Sequence, residues 1–209
     1  CGLRKYHPIE KVREMLSLAG VARAVIVQHL GEFDNSYIGN IVAMDKNHFA
    51  GVCLVDHTAS NASLILEQIS ASGNFKGVRF TTDTLKIVPG LWKTAVDLKL
   101  VIVLYAPQGI ADFVNLLKNF LDANPECQLV LTHMGNPDIR EAPDFKMYKK
   151  IFTLANYPCV YYQISGMKMF CPYPHKELYT LISEATERFG TSRLLWGSNY
   201  PVVGNEQDY

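Results

Sequence analysis

Short apolar runs rich in β-branched residues recur along this chain. They are Ala24-Val25-Ile26-Val27, Gly51-Val52-Cys53-Leu54-Val55, Gly77-Val78-Arg79-Phe80, Val101-Ile102-Val103-Leu104, Leu129-Val130-Leu131-Thr132, Val160-Tyr161-Tyr162-Gln163-Ile164 and Arg193-Leu194-Leu195-Trp196. Each is too short for a helix and nearly continuous, as a strand buried on both faces should be. Their centres lie about 24 to 33 residues apart, which is the length of a strand–helix–strand unit. The intervals carry helical stripes instead. Ile9, Val12, Met15 and Leu16 form one, ending before Gly20. Leu91, Trp92, Ala95 and Val96 form another, and Ile110, Phe113, Leu117 and Phe120 a third that stops at Asn124-Pro125. Phe145, Tyr148, Ile151 and Phe152 make a fourth. Leu178, Leu181, Ile182, Ala185 and Phe189 make the last, with Gly190 placed for a left-handed exit.

Strands alternating with helices imply an all-parallel sheet, either an open doubly wound sheet or a closed barrel. The evenness of the repeat favours a (β/α)₈ barrel spanning residues 1–209 as one domain. No GxGxxG follows the first run and no GxxxxGK[ST] loop occurs, which lowers the nucleotide-binding alternative.

Composition narrows the function classes. Hydrophobic residues make up 48% of the chain and charged ones 19%, a globular balance. Twenty basic residues face twenty acidic ones, so no electrostatic footprint favours nucleic acid or an anionic membrane. Five widely spaced cysteines without a CxxC pair read as buried, reduced thiols, and a cytoplasmic location is expected. There is no GxSxG elbow and no HExxH. The expected partners are a small-molecule substrate and a second copy in a homodimer, with neither nucleic acid nor membrane.

Ligands of parallel α/β folds sit at the carboxyl ends of the strands. Those positions hold Gln28-His29, Asp56-His57, Arg79, Tyr105, His133, Ser165 and Ser198-Asn199. His133 follows a buried run, where an imidazole can bind a metal or move a proton near neutral pH; a capping role is the bland alternative. A guanidinium beside a parallel strand is costly unless an anion meets it. Arg79 therefore answers either a substrate carboxylate or an internal acid such as Asp56 or Asp83. Asn199 can orient a group but cannot ionise. Gln28, His29, Tyr105 and Ser165 complete the candidate substrate-binding set.

In order and spacing these segments resemble the amidohydrolase-related, TIM-barrel metal-dependent hydrolase family. The branch in question includes sugar lactonases, pyrone-dicarboxylate lactonase and aminocarboxymuconate-semialdehyde decarboxylase. The resemblance rests on Gly20-Val21-Ala22-Arg23-Ala24-Val25-Ile26-Val27-Gln28, Phe33-Asp34-Asn35-Ser36-Tyr37 with His48-Phe49-Ala50-Gly51-Val52, and Lys76-Gly77-Val78-Arg79-Phe80. It continues through Leu131-Thr132-His133-Met134-Gly135, Gln163-Ile164-Ser165-Gly166 and Leu195-Trp196-Gly197-Ser198-Asn199-Tyr200-Pro201. These segments would be the family's second to eighth strands, so the barrel is expected to be incomplete, lacking the first strand and the C-terminal helices. The resemblance implies catalytic roles for His133 and Asn199, with His133 also a metal ligand, and a carboxylate- or carbonyl-holding role for Arg79. It implies a divalent metal, zinc or manganese, in the full-length protein. The family's His-x-His pair is absent from this sequence, and Asn199 stands where many members carry aspartate. A metal-independent mechanism is therefore a parallel expectation, with Arg79 and histidines polarising an ester carbonyl for water attack. The expected function is a hydrolase of a small carboxylated or sugar-derived lactone, or a related ester or amide. A metal-dependent decarboxylase and a non-catalytic barrel binding a small acid are the alternatives.

Overall fold

The computed structural model describes residues 8–202. Seven parallel strands form one sheet in sequential order: β1 (Ala24–Val27), β2 (Phe49–Cys53), β3 (Phe75–Thr81), β4 (Val101–Tyr105), β5 (Leu129–Leu131), β6 (Val160–Ser165) and β7 (Leu194–Gly197). All seven expected runs are strands, with β2 beginning earlier than its apolar run suggested. The helix α1 (Ile9–Leu18) precedes β1, and α2 (Ser36–Met44), α3 (Ala62–Ala71), α4 (Thr82–Ile87), α5 (Pro89–Asp97), α6 (Val114–Ala123) and α7 (Tyr179–Phe189) fill the crossovers except that between β5 and β6, which holds 3-10 helices. The sheet curls as an incomplete (β/α) barrel whose ends do not meet. Among the described residues, β1 pairs only with β2 and β7 only with β6.

Two layers of packing hold the shell. The larger lies between the sheet and the helices, and it includes Val78, Phe80, Trp92, Ile102, Leu104, Leu129, Leu131, Val160 and Tyr162. Trp92 stacks on Phe80 at 5.3 Å between ring centroids and donates its indole N–H to Thr84 Oγ1 (2.8 Å), so no polar atom is stranded by its burial. The smaller layer lines the inside of the curl, where Val52, Val103 and Val130 meet with Val101 and Tyr161 beside them. Pairing register then assigns further residues to this concave face, since partners in a parallel ladder share a side. Val27 pairs with Val52 and Arg79 with Val103. Val130 pairs with Tyr161, and two residues on along β6 Gln163 pairs with Leu195, then Ser165 with Gly197. The concave face is thus apolar at its floor and polar towards the carboxyl ends.

Two local expectations are corrected. The stripe through Phe145 and Phe152 is not an α-helix but a 3-10 helix, Tyr148–Asn156, because Phe145 sits outside it in the left-handed region at φ 46°. Gly190 does have positive φ, but with ψ at 155° it is not a left-handed helix exit. That extended conformation is open essentially to glycine alone, and it sends the chain directly into the turn before β7. Cys53, Cys127, Cys159 and Cys171 are buried free thiols, as expected; Cys1 lies outside the described residues. Among the described residues no helix is long and apolar enough to cross a membrane.

Candidate active site

The polar groups at the carboxyl ends fall into a cluster built on β3, β4, β5, β6 and β7. Its centre is His133, and the backbone that presents it is unusual. His133, Met134, Gly135 and Asn136 all have positive φ, at 49°, 57°, 69° and 55°. One turn of left-handed helix therefore follows β5, at about 1–2 kcal/mol for each residue that bears a Cβ, less for asparagine. Surrounding contacts hold it. Thr132 Oγ1 donates to Leu104 O (2.8 Å), fixing the turn to β4. Asn136 N donates back to His133 O at 2.9 Å. Tyr148 OH donates to Met134 O, and Tyr162 OH, 2.7 Å away, is left to donate to Tyr148. Met134 is wholly buried. Gly135 has no room for a side chain: a Cβ there would come within 2.7 Å of Ile151 and 2.8 Å of Ile110.

The imidazole meets Ser165 on β6. Ser165 Oγ lies 2.8 Å from His133 Nδ1 and accepts from His133 N (3.2 Å), while donating to Gln163 Oε1 (3.3 Å). Burial and the charge of Arg79 push the imidazole pKa down to about 4, against a smaller opposing effect of a hydrogen bond with the Ser165 backbone. The ring is nearly perpendicular to that of Tyr105, centroids 5.7 Å apart. The Arg79 guanidinium lies over the same phenol ring, 5.0 Å from its centroid.

Arg79 is mostly buried and meets no acid. Among the described residues no carboxylate forms an ion pair with it; its one hydrogen bond runs from a terminal nitrogen to Gln28 O (3.2 Å), and its Nε has no partner. Desolvation pulls its pKa down accordingly. Asp56, one of the two acids considered for it, instead accepts from Thr58 N and Oγ1. The internal salt bridge is therefore not formed, and the guanidinium is left to face the concavity.

Asn199, after β7, is also left-handed at φ 56° and donates from Nδ2 to Met169 Sδ at 3.3 Å. Gly166 packs between it and the histidine. A Cβ at Gly166 would come within 3.0 Å of His133 Nδ1 and 3.2 Å of Asn199 Nδ2. His133, Ser165, Gly166 and Asn199 are thus brought together, with Tyr105 and Arg79 beside them. Two expected residues are placed otherwise. Gln28 is buried, but its side chain closes its own loop, Nε2 donating to Asp34 O and Oε1 accepting from His29 N; only its main-chain oxygen reaches Arg79. His29 is exposed, with its backbone tied to Gln28 and no contact of its ring with the cluster. Gln163, Gly166 and Met169 were not singled out from the sequence. A glutamine inside the apolar run of β6, two residues before Ser165 on the same face, was the available signal.

The donor set around His133 does not fit a zinc or manganese ion. A catalytic zinc takes about three protein ligands, whereas the neighbours here are a cation, an amide and a hydroxyl. Among the described residues no group of three histidine, cysteine or carboxylate side chains could hold a metal.

A family model described as Amidohydrolase matches residues 5–209. The L-fucono-1,5-lactonase of Burkholderia ambifaria is 24% identical over 216 residues, covering 96% of this chain and 73% of that protein. Among solved structures, a probable 2-pyrone-4,6-dicarboxylic acid hydrolase from Acinetobacter baumannii, with citric acid bound, superimposes with a TM-score of 0.79 at 18% identity, over 100% of this chain and 83% of that one. An amidohydrolase from Burkholderia multivorans with zinc bound gives a TM-score of 0.77 at 17% identity, over 98% of this chain and 78% of the other.

Proposed function

The chain belongs to the amidohydrolase family, and on that premise we propose that it hydrolyses a small lactone bearing a carboxylate or sugar-derived hydroxyls. The observation that carries this reading is Arg79, a mostly buried guanidinium that has no acid partner among the described residues and shares the concavity with a neutral imidazole. A carboxylate or carbonyl oxygen of the substrate supplies the missing acceptors, and the fork of donors orients it. The relatives support the same class: one is a sugar lactonase, and another was solved with the tricarboxylate citrate.

In the reaction, water attacks the lactone carbonyl carbon while its proton passes to His133. The ring C–O bond breaks, and the departing alkoxide takes the proton from His133, giving a hydroxy acid. Arg79 stabilises the negative charge that develops on the substrate oxygens. Asn199 orients the substrate or the water through its amide and exchanges no proton. No step is routed through a metal.

A panel of aldonolactones and carboxylated lactones, followed by acid release with and without added zinc or manganese, tests the reading. Ring opening above the buffer rate is expected, and Arg79→Met should lower kcat/KM by about 2–3 powers of ten, as loss of a charge-stabilising donor does. No turnover of any lactone under either condition overturns the hydrolase. Activity appearing only in Asn199→Asp would mark the chain as a small-acid binder instead.

A further inference from the structure

Ser165 Oγ has three polar neighbours and a single proton to give. The His133 backbone N–H must donate to it at 3.2 Å, taking one lone pair. The Gln163 Oε1 at 3.3 Å is an acceptor, so it takes the single hydroxyl proton. What remains at Ser165 is a second lone pair, facing His133 Nδ1 at 2.8 Å. That contact is a hydrogen bond only if Nδ1 carries the proton. Were the hydroxyl to point at Nδ1 instead, Gln163 Oε1 would lose its donor. We propose that Gln163, acting through Ser165, is a positioning residue that holds His133 as the Nδ1–H tautomer, leaving Nε2 as a bare lone pair in the concavity.

The role this gives Nε2 rests on the lactonase reading above, although the tautomer does not. A bare Nε2 accepts a proton from water; a protonated one could only donate to the carbonyl oxygen. The relay therefore decides between base and electrophile at the same imidazole. It also persists through the reaction. When Nε2 gains a proton, Nδ1–H keeps its acceptor on Ser165, and the cation is not left with an unmatched donor. The geometry demands little mobility, because β6 supplies Gln163 and Ser165 from adjacent positions on one face and the left-handed turn fixes the imidazole opposite them.

Long-range proton–nitrogen correlation spectra of the uniformly ¹⁵N-labelled protein read the tautomer directly, with His133→Asn identifying the signals. In the wild type Nδ1 should be the protonated, pyrrole-type nitrogen and Nε2 the pyridine-type one. Gln163→Leu removes the acceptor and frees the Ser165 hydroxyl to donate to Nδ1, so an Nε2–H population should appear. In the same variant kcat should fall roughly 10- to 100-fold, the usual loss when a partner that orients an imidazole is removed, with KM little changed. Gln163→Glu keeps an acceptor at that position and should restore the Nδ1–H spectrum. A proton on Nε2 in the wild type overturns the proposal, and so does an unchanged His133 spectrum in Gln163→Leu. Because the spectrum needs no substrate, a failed lactone assay leaves this test standing.

Discussion

His133 illustrates how one residue can carry a pH dependence for the whole fold. In the unfolded chain its imidazole titrates at about 6.5, and in the fold at about 4. Between those values the unfolded chain binds more protons, so stability is full above the upper value and declines as pH falls through the window. The loss approaches something on the order of 3 kcal/mol. Urea denaturation at pH 7 and near pH 4 should show this decline, and His133→Asn, which tolerates the left-handed backbone, should show a smaller one. An equal decline in both proteins would mean that His133 is not the group responsible. Arg79→Met should move the histidine pKa upward, since the guanidinium charge is the second cause of its depression. Much of this cluster was legible in the sequence. The strand-end rule picked out His133, Arg79, Tyr105, Ser165 and Asn199 because those ends converge in every parallel α/β fold. It also named His29, which is exposed, and Gln28, which shares the position but turns its amide back into its own loop. Side-chain direction at a strand end depends on where the following loop goes, and apolar patterning carries no record of that.

Elements are where the strain at this site is carried. Left-handed residues cluster at the mouth, and the turn after β5 is held by groups that come from elsewhere in the chain. Tyr148 is the main tie, since it crosses from the 3-10 helix to Met134 O and relays to Tyr162 on β6. Tyr148→Phe removes one oxygen and leaves two buried polar groups without that partner. It should destabilise the protein by about 1–3 kcal/mol, measured by denaturant melts, with a fall in activity larger than Tyr162→Phe produces. Equal effects would place the tie at the tyrosine pair and not at the turn. The strands themselves were easy to read, because a run of β-branched residues bounded by polar ones has little alternative. The 3-10 helix was not, because its stripe has the spacing of an α-helix and only the left-handed Phe145 splits it. The left-handed turn was equally hidden: Thr-His-Met carries no glycine at the position where the backbone first turns over.

At the scale of the molecule, the sheet has two edges among the described residues. Ala24 N donates to His48 O just before β2, and Gln28 N to Val52 O within it. Alternation along a strand turns the amides of Val25 and Val27 to the opposite side, towards the open edge. Hydrogen exchange should therefore find Val25 and Val27 fast while Ala24 and Gln28 are slow, and the amides of β4, flanked on both sides, slowest of all. Uniform protection along β1 would show the edge to be covered. The concave face is exposed along the same seam, where Val25 keeps 62% of its surface and Leu195 36%.

The open seam bears on selectivity. In a closed barrel, strand number and shear together set the radius, and the mouth has one width. Here Arg79 on β3 and the His133–Ser165 pair at β5 and β6 stand on an arc whose ends are not joined among the described residues. The span between the group that would grip a carboxylate and the group that would take a proton then depends on how tightly the sheet coils. Among the described residues that span is set by the coiling of β3 to β6 alone, so any segment that pairs with β1 or β7 would adjust the reach between the two groups as well.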